Sequence, residues 1–111
     1  MDTDTSVWLR GALGLCLLGL LGDGEAYGYE LARRLEEHGF GAVPGGSLYP
    51  ALLRLEKLGH LRAEWRAGAG GPGRKYYALT PAGRDALDRE ATAWRAFVAQ
   101  VDSVLAGAGR P

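Results

Sequence analysis

Cysteine is almost missing: Cys16 stands alone in 111 residues. One thiol cannot form an internal disulfide, so nothing requires an oxidising compartment. Net charge is missing too, because 13 basic and 13 acidic groups cancel. A uniformly basic nucleic-acid binder is thereby excluded. No apolar run is long enough to cross a membrane: Val7 to Leu21 gives 15 residues, broken by Arg10, where a span needs ~20. Asp2 and Asp4 precede it in place of a basic segment, which argues against a signal peptide. It reads as a buried first helix, and the protein as cytoplasmic. At 111 residues there is room for one ordinary domain and none for a two-domain enzyme.

Hydrophobic residues make up 47%, enough for a core. Glycine is abundant, 18 residues, about twice its usual ~7% share. The cancelled charge is unevenly spread. Residues 1–53 hold three Arg against seven acids, net −4, whereas residues 54–77 hold six basic groups against Glu56 and Glu64, net +4. A phosphate backbone responds to such a local block, although a solvated charged surface would look the same.

The chain reads as four helices and a hairpin. Ser6 caps helix one, with Leu13, Leu17, Leu20 and Leu21 at helical spacing. Gly22-Asp23-Gly24 is a turn. Helix two runs from about Ala26 to His38, with Tyr27, Leu31 and Leu35 on one face and Gly39 as its left-handed end. Phe40 to Gly46 is a loop. Ser47 caps helix three, Pro50 fits its first turn, and Leu48, Leu52, Leu55 and Leu58 form its apolar stripe up to Gly59. His60 to Arg66 alternates as a strand, with Leu61, Ala63 and Trp65 on one face. Ala67 to Gly73 is a glycine-rich loop and Arg74 to Leu79 the second strand. Thr80-Pro81 opens the last helix, in which Leu87, Ala91, Trp94, Val98, Val101 and Leu105 keep a heptad-like spacing. At 1.5 Å per residue, Pro81 to Ala106 spans roughly 39 Å, longer than its own body. Its apolar stripe points to a homodimer, unless it packs only on helix one.

Three helices, a strand, a loop and a strand, in that order, make a winged helix-turn-helix. The fold class is therefore mainly α with a small β-hairpin: a winged helix-turn-helix plus a long C-terminal dimerisation helix. The expected division is 1–79 for DNA binding, 80–106 for dimerisation and 107–111 as a flexible tail. Helix three would enter the major groove of double-stranded DNA. Ser47 and Tyr49 can donate to phosphate, and Arg54 points away from the leucine stripe. Arg66, Arg74 and Lys75 flank the wing, whose glycines permit close approach. Each has a plainer role available: Tyr49 packing, Ser47 capping, Arg54 pairing with a nearby Glu.

No enzyme, metal or cofactor pattern survives. The loop before Lys75 fails as a phosphate loop, because Tyr76 replaces the Ser/Thr and a strand follows where a helix is needed. Cys16 reads as an inert buried thiol. His38 and His60 lack a third metal ligand nearby. Glu36-Glu37 and Asp85-Asp88 read as solvated faces.

Three segments carry a family resemblance. They are Tyr27-Gly-Tyr-Glu-Leu31, then Gly46-Ser-Leu-Tyr-Pro-Ala-Leu52 with Arg54-Leu-Glu-Lys-Leu-Gly59, and Gly70-Gly-Pro-Gly-Arg-Lys-Tyr-Tyr-Ala-Leu-Thr-Pro-Ala-Gly83. They resemble the PadR family of transcriptional regulators, over about residues 12 to 90. The resemblance implies a dimeric winged-helix repressor that binds a palindromic operator and releases it when a small molecule binds. It implies DNA contacts from Tyr27, Ser47, Tyr49 and Arg54, with Arg74 and Lys75 in the wing. A single helix after the wing resembles the short, multidrug-sensing branch. There Trp94, with Trp8 as a further wall, would line a pore at the dimer centre and stack on a planar aromatic effector. The residues leave open whether Trp94 lines a pocket or only packs the seam. The alternative function is a winged-helix protein-interaction module. It gains weight if Arg54, Arg66, Arg74 and Lys75 point in different directions.

Overall fold

A computed structural model describes residues 6–68 and 70–108. The expected Ser6 side-chain cap, Ala69 in the wing and residues 109–111 of the expected tail lie outside the described residues.

The order is α1 (Ser6–Leu21), β1 (Ala26–Tyr27), α2 (Gly28–Leu35), α3 (Gly45–Lys57), β2 (Leu61–Gly68), β3 (Gly71–Leu79) and α4 (Pro81–Ala108). A π turn, Glu36–Phe40, continues α2. The expected mainly helical winged helix is observed, with one addition. The sheet has three antiparallel strands in the order β1-β3-β2.

The core is leucine from three helices: Leu17, Leu18 and Leu21 of α1, Leu31 and Leu35 of α2, Leu48 and Leu52 of α3 are fully buried. Truncating any one to Ala would cost about 2–5 kcal/mol. Arg34 fastens α2 to the turn after α1, donating to the Asp23 carboxylate at 2.9 Å and to the Leu20 carbonyl at 3.3 Å.

Several boundaries differ from the sequence expectation. Ala26 and Tyr27 do not begin a helix; they pair with Tyr77 and Tyr76 of β3. Sheet pairing satisfies backbone groups that the first helical turn would leave open. Gly39 does take the expected left-handed conformation, φ +96°. Ser47 does not cap α3. Pro44 is the cap residue, and its carbonyl accepts from the Ser47 and Leu48 N–H groups at 2.9 and 3.0 Å. The cap and the helix start therefore both lie three residues earlier than expected, with the helix beginning at Gly45. The glycine-rich segment is mostly strand, with β2 reaching Gly68 and β3 starting at Gly71. A Cβ at Gly68 would lie 2.7 Å from the Pro72 carbonyl oxygen. Glycine here lets two strands close tightly where a larger residue would force a loop.

The last helix is joined rigidly to the body. Thr80 caps it as expected: its Oγ1 accepts from the Gly83 N–H at 3.0 Å and donates to the Gly59 carbonyl at 2.5 Å. Only Gly83 and Ala86 of α4 are buried. Its 28 residues span roughly 42 Å at 1.5 Å each, within a molecule 63 Å in its longest dimension. Trp94, Phe97, Val101, Val104 and Leu105 all face solvent.

Candidate nucleic-acid interface

The N-terminal half of α3 and the hairpin enclose a cleft of about 830 Å³. Tyr27, Tyr49, Trp65, Arg74, Lys75 and Tyr77 line it. Three elements fix these side chains. Tyr27 is the junction residue between β1 and α2, held by its N–H to Glu30 Oε1 at 3.4 Å. Tyr49 lies in the first turns of α3, over the bare Cα of Gly28. Trp65 and Lys75 are cross-strand partners, so they share one sheet face.

That face also explains an exposed tryptophan. Leu61 and Trp65 lie on it as the alternation predicts, but the hairpin overhangs the body. Leu61 is buried against the core while Trp65 is 70% exposed. Trp65, like Tyr29, Leu53 and Tyr77, is a cleft residue that the sequence did not mark: period-two spacing gives its face but not where the sheet leaves the core.

The cations differ in freedom. The Arg74 guanidinium lies over the Tyr27 ring, 4.5 Å from its centroid, and among the described residues it has no ion-pair partner. Lys75 Nζ is 3.5 Å from Glu56 Oε1 and 5.6 Å from the Tyr77 ring centre. Burial pushes the Tyr77 hydroxyl above its ordinary pKa, with the charge of Glu56 and then Tyr49 adding to the effect. Arg66 is committed elsewhere. It grips both oxygens of Glu25 at 2.6 and 2.8 Å, touches Glu64 at 3.5 Å, and covers Tyr76 at 4.6 Å. Hydrogen bonding from Arg66, partly opposed by desolvation, holds the Glu25 carboxyl below the ordinary carboxylate range.

Of the seven residues expected at the interface, the structure brings four together in the cleft: Tyr27, Tyr49, Arg74 and Lys75. Ser47 and Arg54 line a separate cavity on the other flank of α3, toward α1. The basic groups of residues 54–77 therefore do not share one direction. The two residues expected at an effector site are also apart within the chain. Trp94 lines a groove between α1 and α4 with Gly11, Leu15 and Phe97, and Trp8 is not among its lining residues. Phe97, absent from the expected seam, lies 6.2 Å from Trp94 between ring centres. Among the described residues no helix is long and apolar enough to cross a membrane.

Known proteins share the fold and much of the sequence. The model of the transcriptional regulator PadR-like family matches residues 17–89. The chain is 39% identical over 92 residues to the transcriptional regulator Rv3488 of Mycobacterium tuberculosis, covering 83% of this chain and 84% of that protein. It superposes on the crystal structure of a PadR-like transcriptional regulator from Bacillus cereus with a TM-score of 0.78 at 38% identity, over 90% of this chain and 97% of the other. A padr family transcriptional regulator from Eggerthella lenta gives a TM-score of 0.79 at 35% identity, over 89% and 87%.

Proposed function

The chain belongs to the PadR-like family of transcriptional regulators, and from that premise we propose that it is a homodimeric repressor of a two-fold symmetric operator. Family and fold are those of transcriptional regulators, not enzymes.

One observation carries the reading: the cleft between α3 and the wing holds Tyr27, Tyr49, Arg74 and Lys75 together. Arg74 is the cation free to neutralise a phosphate, since Lys75 already has Glu56 nearby. The hydroxyls of Tyr27 and Tyr49 donate to phosphate, which positions the protein without reading sequence. On the other flank Ser47 and Arg54 reach a second stretch of backbone as α3 enters the major groove. Arg66 acts through Glu25: its ion pair ties the wing to the residue before β1 and keeps Arg74 and Tyr27 aligned.

The dimer forms through α4, whose apolar stripe faces solvent in the single chain. Residues 1–79 then bind DNA and residues 80–106 dimerise. Trp94 and Trp8, 42% and 69% exposed, come together only across two protomers, where they stack on a planar aromatic effector that releases DNA.

A winged-helix protein-interaction module is the second reading, favoured by the separation of Arg54 from Arg74 and by the commitment of Arg66 to Glu25. One titration separates the two. Labelled DNA from upstream of this reading frame, and a scrambled duplex, are titrated at two salt concentrations by fluorescence anisotropy. The repressor reading expects tight, saturable, salt-weakened binding to a site with half-site centres ~34–36 Å apart. Uniformly weak binding there and in a selection from random duplexes would favour the interaction module.

A further inference from the structure

A second cavity lies on the other flank of α3. It shares only Ser47 and Arg54 with the proposed DNA contacts. Its volume is about 500 Å³, within the range of small-molecule sites, roughly 300–1,000 Å³. Arg10 follows Trp8 by two residues, roughly 200° round α1, and Arg54 is the one lining residue the cavity shares with the groove that Trp94 lines.

The lining is aliphatic with two cations. Leu9 and Leu13 come from α1, Val43 and Pro44 from the connection before α3, and Ala51 from α3 itself. Phe40 is the one aromatic ring. Arg10 and Arg54 both line it, no acidic side chain does, and among the described residues neither Arg has an ion-pair partner. The first turn of α3, with Pro44 and Ser47, closes one wall.

We propose that this cavity binds a medium-chain aliphatic carboxylate, its chain on the leucine, valine and proline floor and its carboxylate between Arg10 and Arg54. Two guanidinium groups match a carboxylate through charge-assisted hydrogen bonds. A nucleotide or sugar phosphate is a poor match, because Ser47 is the only hydroxyl on the lining to meet its polar groups. A planar aromatic would find one ring to stack on. A bound carboxylate occupies Arg54 in the last turn of α3, one of the proposed DNA contacts, yet binding itself does not rest on the DNA reading and is measured without DNA.

The test is calorimetric titration of the full chain with decanoate, octanoate and decanol. Decanoate is expected to bind saturably, and roughly tenfold tighter than octanoate, the effect of two more buried methylenes. Decanol is expected to bind at least tenfold more weakly for lack of charge. Arg10→Glu should abolish decanoate binding with an unchanged circular dichroism spectrum, and Ala51→Leu should weaken it by filling the cavity. Equal affinity for decanol, undiminished binding by Arg10→Glu, or no saturable binding below micelle formation would overturn the proposal. So would a loss caused by Trp94→Ala with Arg10→Glu unaffected, which would put the ligand between α1 and α4.

Discussion

Tyr49 rests its ring directly on the backbone of Gly28: a Cβ at that position would lie 2.6 Å from Tyr49 Cε1 and 2.7 Å from its hydroxyl. Helix α3 and the start of α2 thus meet through a missing side chain. Gly28→Ala should push the half-exposed ring out of the cleft and leave the leucine core untouched. DNA affinity should fall roughly tenfold, about 1.4 kcal/mol, with little change in melting temperature. Tyr49→Ala should give the same loss, and the double variant no more, because both remove one arrangement. Additive losses in anisotropy titrations would show that the two residues act separately.

Arg74 and Arg66 are cross-strand partners with different commitments. Arg74 has only the Tyr27 ring; Arg66 has Glu25 and Glu64. Arg74→Ala should therefore reduce the slope of log affinity against log salt by about one phosphate contact, equally on all duplexes. Arg66→Ala should leave that slope unchanged and weaken binding only through a looser wing. A slope change for Arg66→Ala would mean that Glu25 releases it when DNA binds.

Much of this was legible in the sequence, for identifiable reasons. The leucine stripes of three helices and the Thr80-Pro81 start of α4 are local signals, and they read correctly except at Leu58, which caps the end of α3 and is exposed where the stripe predicted burial. Strand β1 was not legible, since two residues carry no period and their pairing with Tyr76 and Tyr77 depends on the whole fold. Ser47 looked like a cap because its type suits one, but Pro44 already supplies the turn. The fate of Arg66 was hidden because Glu25 lies 41 residues away in sequence. Charge counting treats all cations as equal; only the fold separates Arg74 from those already paired.

Among the described glycines, Gly83 leaves the least room for a side chain. A Cβ there would overlap the His60 carbonyl oxygen at 1.9 Å, a backbone atom with no rotamer to escape into. Gly83→Ala should force α4 off the end of β2 and break the Thr80 cap. The expected cost is about 2–4 kcal/mol, seen as a large drop in melting temperature. Gly107→Ala, with nothing near its added Cβ, should be neutral. Equal melting temperatures for the two variants would show that the α4 junction yields easily.

The Glu25–Arg66 pair gives a pH signature. The folded-state pKa of Glu25 lies below its ordinary value of 4.5. A group depressed in this way stabilises the fold above its unfolded pKa and loses that contribution as pH falls through the folded value. The pair is solvent-exposed, so the effect on stability is small. The wing should loosen below about pH 4.5 as Glu25 takes up a proton. Trp65 fluorescence in a Trp8→Phe, Trp94→Phe background should report that transition. Glu25→Gln should remove it, and a transition that survived Glu25→Gln would belong to another carboxylate.

The exposed stripe of α4 makes the strongest demand on assembly. Trp94, Val101 and Leu105 recur at heptad spacing on a helix that runs beside α1 as far as Phe97 and has no buried residue beyond Ala86. A monomer would leave this whole apolar surface in water, whereas a two-fold pair covers it with the same surface from its partner. Val101→Glu with Leu105→Glu places like charges against each other in such a pair. Sedimentation analysis should find a dimer for the original chain and a monomer for the double variant. Circular dichroism should keep the helical signal of the winged helix, because no apolar residue of α4 beyond Leu87 packs against its leucine core. Operator affinity should fall by orders of magnitude, since one half-site alone then holds each protomer. A double variant that still sedimented as a dimer would place the interface on α1, where Val7 and Trp8 are also exposed.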